Sequence, residues 1–266
     1  MSTTYSFATT ETGFTLPRFK VLGVRVHAVQ FSDVAAQMER WIRERGPSHY
    51  IAVTGMHGVT EALHDPALRE ILNDDQCLVV PDGMPLVWLA RWHRHPLRRR
   101  CSGTELTEHF FEHTGPRYRH FFYGGAPGVA SLFAEKVRER YGLQVVGTYC
   151  PPFRPLTEQE QQQVVDLVRA AEPDVLWVGL STPKQERWMA EFRGRLNVPV
   201  LVGVGAVFDF MTGRVKRAPR WMREHALEWL YRLLVDPRRL WRRYLVRGSE
   251  FLWNASLEIL GLKEFN

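Results

Sequence analysis

Side chains with chemical potential follow short apolar runs in this sequence, at the points where predicted strands end. Thr54 closes the run HYIAVT, Asp82 follows CLVVP, and Asp209 comes shortly after VLVGVG. A carboxylate fixed at a strand end can serve as a general base, and another can receive sugar hydroxyls. An ordinary Asp-Gly turn with Gly83 also explains Asp82, and a local helix cap also explains Asp209. The local sequence favours the turn for Asp82 and leaves both interpretations of Asp209 open.

Glycine-rich turns and one helix start supply further candidates for ligand binding. Two glycine pairs separate predicted strands from helices, where free backbone N–H groups and the helix dipole favour anions. The segment PKQE at 183–186 opens a helix from which polar side chains could reach a ligand. The candidates are Gly124, Gly125, Gly203, Gly205, Lys184 and Gln185. Each motif alone is also found in ordinary strand–helix connections.

The elements that must position these residues alternate along the chain. Strands are predicted at 49–54, 77–80, 120–123, 144–148, 175–179 and 200–204, and helices at 32–45, 59–73, 84–92, 103–112, 127–141, 157–171 and 183–195. This alternation predicts an α/β fold, a Rossmann-like and mostly parallel sheet with helices on both faces. Ligands bind such sheets beyond the carboxyl ends of the strands. Five strand-end loops therefore converge on one predicted site.

The pattern changes after Gly213, where only helices are predicted, including one at 223–235. From 214 to 247 there are eleven Lys/Arg and three Asp/Glu, although the whole chain is only +6. Such a charge predicts contact with an anionic partner, with lipid, diphosphate and nucleic acid all open. The predicted organisation is a flexible tail at 1–18, an α/β body at 19–213 and a basic amphipathic appendage at 214–266 that associates with membrane.

Several classes of protein are disfavoured by what the sequence lacks. The three cysteines are scattered without metal-ligand spacing, which fits a reducing compartment. The N-terminal segment lacks the basic and apolar regions of a signal peptide, and no apolar run is long enough to span a membrane. No D-x-D triplet is present to hold a divalent metal. We therefore expect neither a metal nor a cofactor.

Taken together, these segments resemble the WecG/TagA/CpsF family of bacterial glycosyltransferases over about residues 19–247. The matching segments are VTGMHG at 53–58, PDG at 81–83, RCSGTEL at 100–106, GG at 124–125, PKQERW at 183–188, GVGAVFD at 203–209, and GRVKRAPRWM and LEWLYRLLVDPRRLWRRYL between 213 and 245. The last two blocks are long and ordered, which makes the resemblance specific.

The resemblance implies a Rossmann-like body with a helical appendage, the GT-E fold. It implies inverting transfer of a sugar from a UDP-sugar to a polyprenyl-diphosphate-linked sugar, giving a β-linkage. The reaction would occur in the cytoplasm, peripherally on the inner face of the cytoplasmic membrane. The family's base falls on Asp82, with its other site positions on Thr54, Gln185, Asp209 and Arg100. Appendage arginines of the family fall on Arg232, Arg239 and Arg242.

Two departures from the family pattern bear on the sugar. Met56 replaces the asparagine of T-x-N, and Glu105 replaces the aspartate of R-x-x-G-x-D. Both positions are expected to line a sugar pocket, so these departures count against carrying over N-acetylmannosamine specificity. The segments TGMHG at 54–58 and PDGMPLVW at 81–88 resemble exopolysaccharide members of the family, which implies hexose or N-acetylhexosamine transfer in exopolysaccharide synthesis. The alternative is N-acetylmannosamine or N-acetylmannosaminuronic acid transfer of the teichoic-acid or common-antigen type. A homo-oligomer is compatible with the sequence.

Two non-enzymatic hypotheses remain for comparison. A nucleic-acid-binding protein would use the basic tail, but the body contains no recognised reader motif, so we expect no nucleic-acid partner. A nucleotide-sugar-binding protein without catalysis would not need Asp82.

Overall fold

The computed structural model describes residues 16–265. The strands are Arg18–Val21 (β1), Val24–His27 (β2), His49–Thr54 (β3), Cys77–Pro81 (β4), Arg119–Gly124 (β5), Gln144–Tyr149 (β6), Val175–Gly179 (β7) and Val200–Gly203 (β8). All six predicted strands are present, each within one residue of its predicted ends. Most of the predicted tail, residues 1–15, lies outside the described residues, and the first strand already begins at Arg18.

Helices fill the segments between and after the strands. They are Phe31–Glu44 (α1), Met56–His64 (α2), Pro66–Leu72 (α3), Met84–Trp92 (α4), Gly103–His113 (α5), Val129–Tyr141 (α6), Glu158–Ala171 (α7), Lys184–Leu196 (α8), Val207–Thr212 (α9), Arg220–Glu224 (α10), Glu228–Val235 (α11), Pro237–Trp241 (α12) and Arg247–Ile259 (α13). A 3-10 turn spans Gly115–Arg117, and a π-helical segment spans Arg242–Val246.

The main sheet has six strands in the order β4-β3-β8-β7-β5-β6, and every pair in it is parallel. Alternate strand residues face opposite helical layers: Tyr50 and Ala52 pack with α2, α3, α4, α7 and α8, whereas Ile51 packs with α1, α5, α6 and α9. The α/β prediction with both faces covered is confirmed. The antiparallel hairpin β1–β2 was missed because each strand has only four residues.

Two predicted helices are each broken in two. The predicted helix 59–73 is wrong because Asp65, which precedes Pro66, is held in an extended conformation (φ −130°, ψ 91°) and caps α3 instead. The predicted helix 223–235 is interrupted at Ala226, whose φ is +61°, between α10 and α11. These breaks set the angles at which later residues enter the site.

The last helix, α13, packs back onto the body. Phe251 and Ala255 are buried in the same core as Tyr50, and the Leu22 N–H donates a hydrogen bond of 3.0 Å to Glu258 Oε2. The boundary near Gly213 therefore remains a prediction, since residues beyond it share a core with residues before it. Within the described part of the chain, no helix combines the length and hydropathy needed to cross a membrane.

Candidate active site

The candidate base lies where the edge strand β4 and its neighbour β3 end. The Asp82 N–H donates a hydrogen bond of 2.8 Å to the Thr54 carbonyl, so the loops after β3 and β4 are tied together. A Cβ at Gly55 would come within 2.5 Å of the Asp82 carbonyl oxygen, so only glycine fits there. Thr54 itself is buried, with its Oγ1 donating to the Ala52 carbonyl at 3.4 Å. The position of Asp82 is thus fixed by backbone contacts.

The Asp82 carboxylate faces a shared arginine. Arg100 Nη1 lies 3.6 Å from Asp82 Oδ1, while Arg100 Nη2 lies 2.6 Å from Glu228 Oε2 on α11. The space between Asp82, Arg100 and Glu228 is called the cleft below. The Asp82 side chain is 37% exposed, but its Oδ1 is buried without a hydrogen-bond partner among the described residues. The exposed part of the carboxyl group is therefore the part that a ligand hydroxyl can reach and to which it can pass a proton.

Burial sets the protonation behaviour of this pair. Desolvation raises the pKa of Asp82; Arg100 opposes this and Glu228 adds to it. Burial alone would lower the pKa of Arg100, but Asp82 and Glu228 outweigh burial and raise it. A carboxylate with a raised pKa is a stronger base than an exposed aspartate, which suits general-base catalysis.

The helical appendage covers the cleft with two arginines. Arg232 on α11 and Arg243 in the π-helical segment both lower the pKa of Asp82 by their charge. Burial raises the pKa of Glu186 and lowers that of His57; the charge of Arg243 opposes the first shift and adds to the second. Its Nε is buried without a hydrogen-bond partner in the described structure, and burial lowers the pKa of its guanidinium. A buried cation with this environment favours an anionic ligand.

Two predicted appendage arginines are not brought to the cleft. Arg239 is 72% exposed and pairs with Asp236 at 2.6 Å. Arg242 is exposed, with its Cζ 5.3 Å from the Trp241 ring centroid. The π-helical segment has more residues per turn than an α-helix, so Arg243 replaces Arg242 on the inner face.

Gln185 holds the loop after β8. It is buried, and its Oε1 accepts a hydrogen bond of 3.0 Å from the Gly205 N–H. A Cβ at Gly203 would lie 3.1 Å from the Gln185 amide, so this glycine permits the contact. Lys184, by contrast, is exposed. Gln185 thus orders the Gly203–Gly205 turn from within.

The second glycine turn borders a surface cavity. Gly124 has φ +117°, and a Cβ there would lie 2.6 Å from the Gly179 carbonyl oxygen, to which the Gly125 N–H donates at 3.0 Å. A cavity of about 480 Å³ lies at the start of α6, where Gly128 takes a left-handed conformation and delays the helix from the predicted residue 127 to Val129. Its lining residues are Pro127, Gly128, Val129, Leu132, Thr212, Gly213 and Arg214.

Asp209 lies beside this second region. Its Oδ1 is 3.7 Å from Arg214 Nε, at the rim of the same cavity. Asp82 and Asp209 thus have different partners, Arg100 for one and Arg214 for the other. This separation suits one aspartate for proton transfer and the other for a donor-side contact.

Comparison with known proteins identifies the family of this chain. The model of the family described as "Glycosyl transferase WecG/TagA/CpsF family" matches residues 19–264. The chain belongs to this family. An N-acetylglucosaminyldiphosphoundecaprenol N-acetyl-beta-D-mannosaminyltransferase of Bacillus spizizenii is 33% identical over 218 residues, covering 81% of this chain and 82% of that protein. A Bacillus subtilis protein of the same name is 29% identical over 185 residues, covering 69% and 70%.

Three residues of the candidate site were missing from the sequence prediction. Glu228 and Arg243 lie on the appendage at the cleft. Glu186 is buried, its Oε1 accepts from Thr182 Oγ1 at 2.8 Å, and its Oε2 has no partner among the described residues. The signal for Glu228 was an acidic residue within a strongly basic segment. No sequence signal distinguished Arg243 from Arg242.

Proposed function

We propose that this glycosyltransferase moves an N-acetyl-β-D-mannosaminyl group from a UDP-linked donor to an N-acetylglucosaminyl-diphosphate-polyprenol. The observation that carries the proposal is the partly exposed Asp82 carboxyl group beside Arg100, which makes no hydrogen bond in the described structure and lies on the loop that the family resemblance assigns to the base. The relatives' names supply the sugar and the acceptor. They favour the teichoic-acid-type alternative over the exopolysaccharide interpretation that the sequence favoured.

The two sequence departures do not weigh against this sugar. Met56 packs against the hydrophobic core. Glu105 accepts from Ser102 Oγ at 2.9 Å and lies 3.8 Å from Arg217 and 3.6 Å from Arg223, which joins α5 to the appendage. Both side chains are therefore engaged with protein. The argument from Met56 and Glu105 for a different donor loses its basis.

Asp82 acts as the general base in a single displacement. The acceptor hydroxyl oxygen forms a bond to the anomeric carbon as the bond from that carbon to the UDP oxygen breaks. The hydroxyl proton passes to Asp82, and the electron pair of the broken bond leaves with the diphosphate. Attack opposite the leaving group inverts the anomeric centre. Because burial raises the pKa of Asp82, the carboxylate is matched to this proton transfer.

Arg243 and Arg232 stabilise negative charge that develops on the leaving diphosphate. Both lie close enough to Asp82 to lower its pKa, and guanidinium groups in a desolvated cleft stabilise anions strongly. These cations make a divalent metal unnecessary for charge neutralisation. The proposal expects full activity in excess EDTA, and a requirement for added Mg²⁺ or Mn²⁺ would contradict it.

An anionic bilayer is the proposed support for the reaction, on the inner face of the cytoplasmic membrane. The outward face of α13 and the two residues before it is apolar, broken only by Ser249 and Ser256. It consists of Leu245, Val246, Leu252, Trp253, Ile259 and Leu260, which are 38–68% exposed and repeat every seven residues. Arg247 and Glu250 instead face α2. An uncharged helix face flanked by arginines suits the headgroup region of a bilayer.

A donor panel tests the chemistry directly. We expect UDP release and a mass gain of one N-acetylhexosamine when UDP-N-acetylmannosamine meets N-acetylglucosaminyl-diphosphate-polyprenol. UDP-glucose and UDP-N-acetylglucosamine serve as competing donors. Asp82→Asn should lower turnover by about 10²-fold or more, the scale of general-base loss. Preferred transfer of glucose would restore the exopolysaccharide interpretation, and full activity of Asp82→Asn would move the base to Asp209.

A further inference from the structure

The carboxylate that reaches the site from the appendage is Glu228. Its Oε2 lies 2.6 Å from Arg100 Nη2, and both side chains are about 15% exposed (16% and 15%). Asp82 is the weaker partner of the same guanidinium, at 3.6 Å and without a hydrogen bond in the described structure. Arg100 therefore forms its close ion pair with Glu228, although the candidate base Asp82 lies beside it.

We propose that Glu228 is a positioning residue, which holds Arg100 beside Asp82 without letting the two groups form a close ion pair. This inference rests on the proposed function of Asp82 as the base. An arginine free of Glu228 would close onto Asp82 in a bidentate pair, the geometry that guanidinium and carboxylate groups favour. Such a pair would occupy both oxygens of the Asp82 carboxyl group, so neither would be left to accept the substrate proton.

The electrostatic consequence has a definite sign. The groups that surround Asp82 are Cys101 and Arg100 on its body side and Glu228, Arg232 and Arg243 on the appendage. Burial and Glu228 raise the pKa of Asp82, whereas Arg100, Arg232 and Arg243 lower it. Removing the charge of Glu228 leaves three cations facing Asp82 and frees one of them to approach. The pKa of Asp82 must then fall, which makes it a weaker base.

The arrangement also couples the base to the appendage. Glu228 is the first residue of α11, so the Arg100 contact forms only when α11 lies over the cleft. The separation of Arg100 from Asp82 therefore depends on the placement of α11.

The test compares Glu228→Gln with Glu224→Gln. Glu224→Gln is a matched control because it removes the same charge from the neighbouring helix α10. Among the described residues, Glu224 forms its ion pair with the exposed Arg220. For Glu228→Gln we expect kcat to fall about 10-fold and the acid limb of kcat/KM to move about one pH unit lower, the usual effect of an opposite charge on a carboxylate. Glu224→Gln should keep the wild-type profile.

Two further measurements separate the possible failures. Carboxyl ¹³C NMR, with the Asp82 signal assigned by its loss in Asp82→Asn, should show a lower pKa for Asp82 in Glu228→Gln. Adding Arg100→Gln to Glu228→Gln should restore much of that pKa, because Glu228 acts through Arg100. An unshifted Asp82 pKa in folded Glu228→Gln overturns the inference. Absence of sugar transfer by the wild type would instead count against the proposed function, and the NMR result would stand apart from it.

Discussion

At the scale of residues, the site depends on where single atoms are held. Asp82 is placed by a backbone hydrogen bond to Thr54, and its carboxylate is kept from a close ion pair by the competition for Arg100. The same burial that makes Asp82 a useful base also makes its ionised form unfavourable. These contacts lead to one prediction about thermal stability and one about the geometry of the loop that carries Asp82.

Asp82→Asn should raise the melting temperature at neutral pH while it lowers activity. The folded pKa of Asp82 lies above its unfolded value, so the folded protein binds the proton more tightly. The destabilisation from ionised Asp82 is complete above the folded pKa. It declines as the pH falls through the folded pKa and is gone below the unfolded pKa. Thermal unfolding between pH 4 and pH 8 measures this effect, and the benefit of the variant should shrink toward the acid end.

Asp65→Asn provides the opposite case. Asp65 caps α3 by accepting from the Leu68 N–H and pairs with Arg187, and the first of these contacts contributes most to its lowered pKa. Its stabilisation is present above the unfolded pKa and is lost as the pH falls through the folded pKa. Asp65→Asn should therefore melt at a lower temperature than the wild type at neutral pH. If Asp65→Asn and Asp82→Asn changed the melting temperature in the same direction, the opposite pKa shifts of the two aspartates would be contradicted.

Gly55→Ala should reduce kcat because the new Cβ would lie 2.5 Å from the Asp82 carbonyl oxygen. Backbone on both sides cannot yield, so the loop carrying the base must move. A small displacement of a catalytic group costs on the order of 10²-fold in rate. Gly46→Ala is the control, since nothing lies within 4 Å of a Cβ there. Equal kinetics of the two variants would show that the loop tolerates movement.

At the scale of elements, the appendage consists of short helices that point residues in directions that one continuous helix could not. The break at Ala226 lets α11 turn Glu228 and Arg232 toward the body, and the π-helical segment turns Arg243 inward. After them, α13 has one face in the core and one apolar face outward. Most of the outward apolar face thus lies on α13, whereas Arg232 and Arg243 lie on the elements before it, a division that the charge pattern alone did not show.

Trp253→Glu should weaken binding to vesicles that contain anionic lipid. The indole is 68% exposed at the middle of the apolar face, and a carboxylate there would meet both hydrocarbon and anionic headgroups. Phe153→Glu is the control, because Phe153 is 89% exposed but follows β6, outside the appendage. Vesicle co-sedimentation measures the difference, and equal loss in both variants would reflect general hydrophobicity.

At the scale of the whole molecule, ion pairs hold the appendage over the body. Arg217 lies 3.5 Å from Glu108 and 3.8 Å from Glu105, and Arg223 lies 3.6 Å from Glu105. Together with the Arg100–Glu228 contact, these pairs fix the approach of α10 and α11. Contacts of this length are weak one by one and are screened by salt.

Glu105→Gln should increase amide hydrogen exchange in residues 217–235 and make activity more sensitive to salt. The substitution removes the charge that Arg217 and Arg223 share. Glu44→Gln is the matched control, since Glu44 pairs with Arg40 on α1. Unchanged exchange in Glu105→Gln would show that the ion pairs of Glu105 are not needed to position the appendage.

Local sequence patterns were enough to predict the six strands of the main sheet and the residues at which they end. Buried parallel strands such as β3 and β7 are continuous runs of apolar residues, so their ends could be read to within a residue. The carboxyl ends of such strands must converge, which placed Thr54, Asp82, Gln185 and the glycine turns at one edge. The family and its candidate base also followed from ordered local motifs.

Which residues of the appendage reach the carboxyl edge of the sheet could be seen only in the folded structure. Arg239 and Arg242 look equivalent to Arg243 in sequence, but the register of a helix is lost where helices break or take a π-helical turn. Glu228 gains its importance from Arg100, a residue 128 positions earlier. Contacts between distant segments depend on how helices pack, and local sequence patterns do not contain that information.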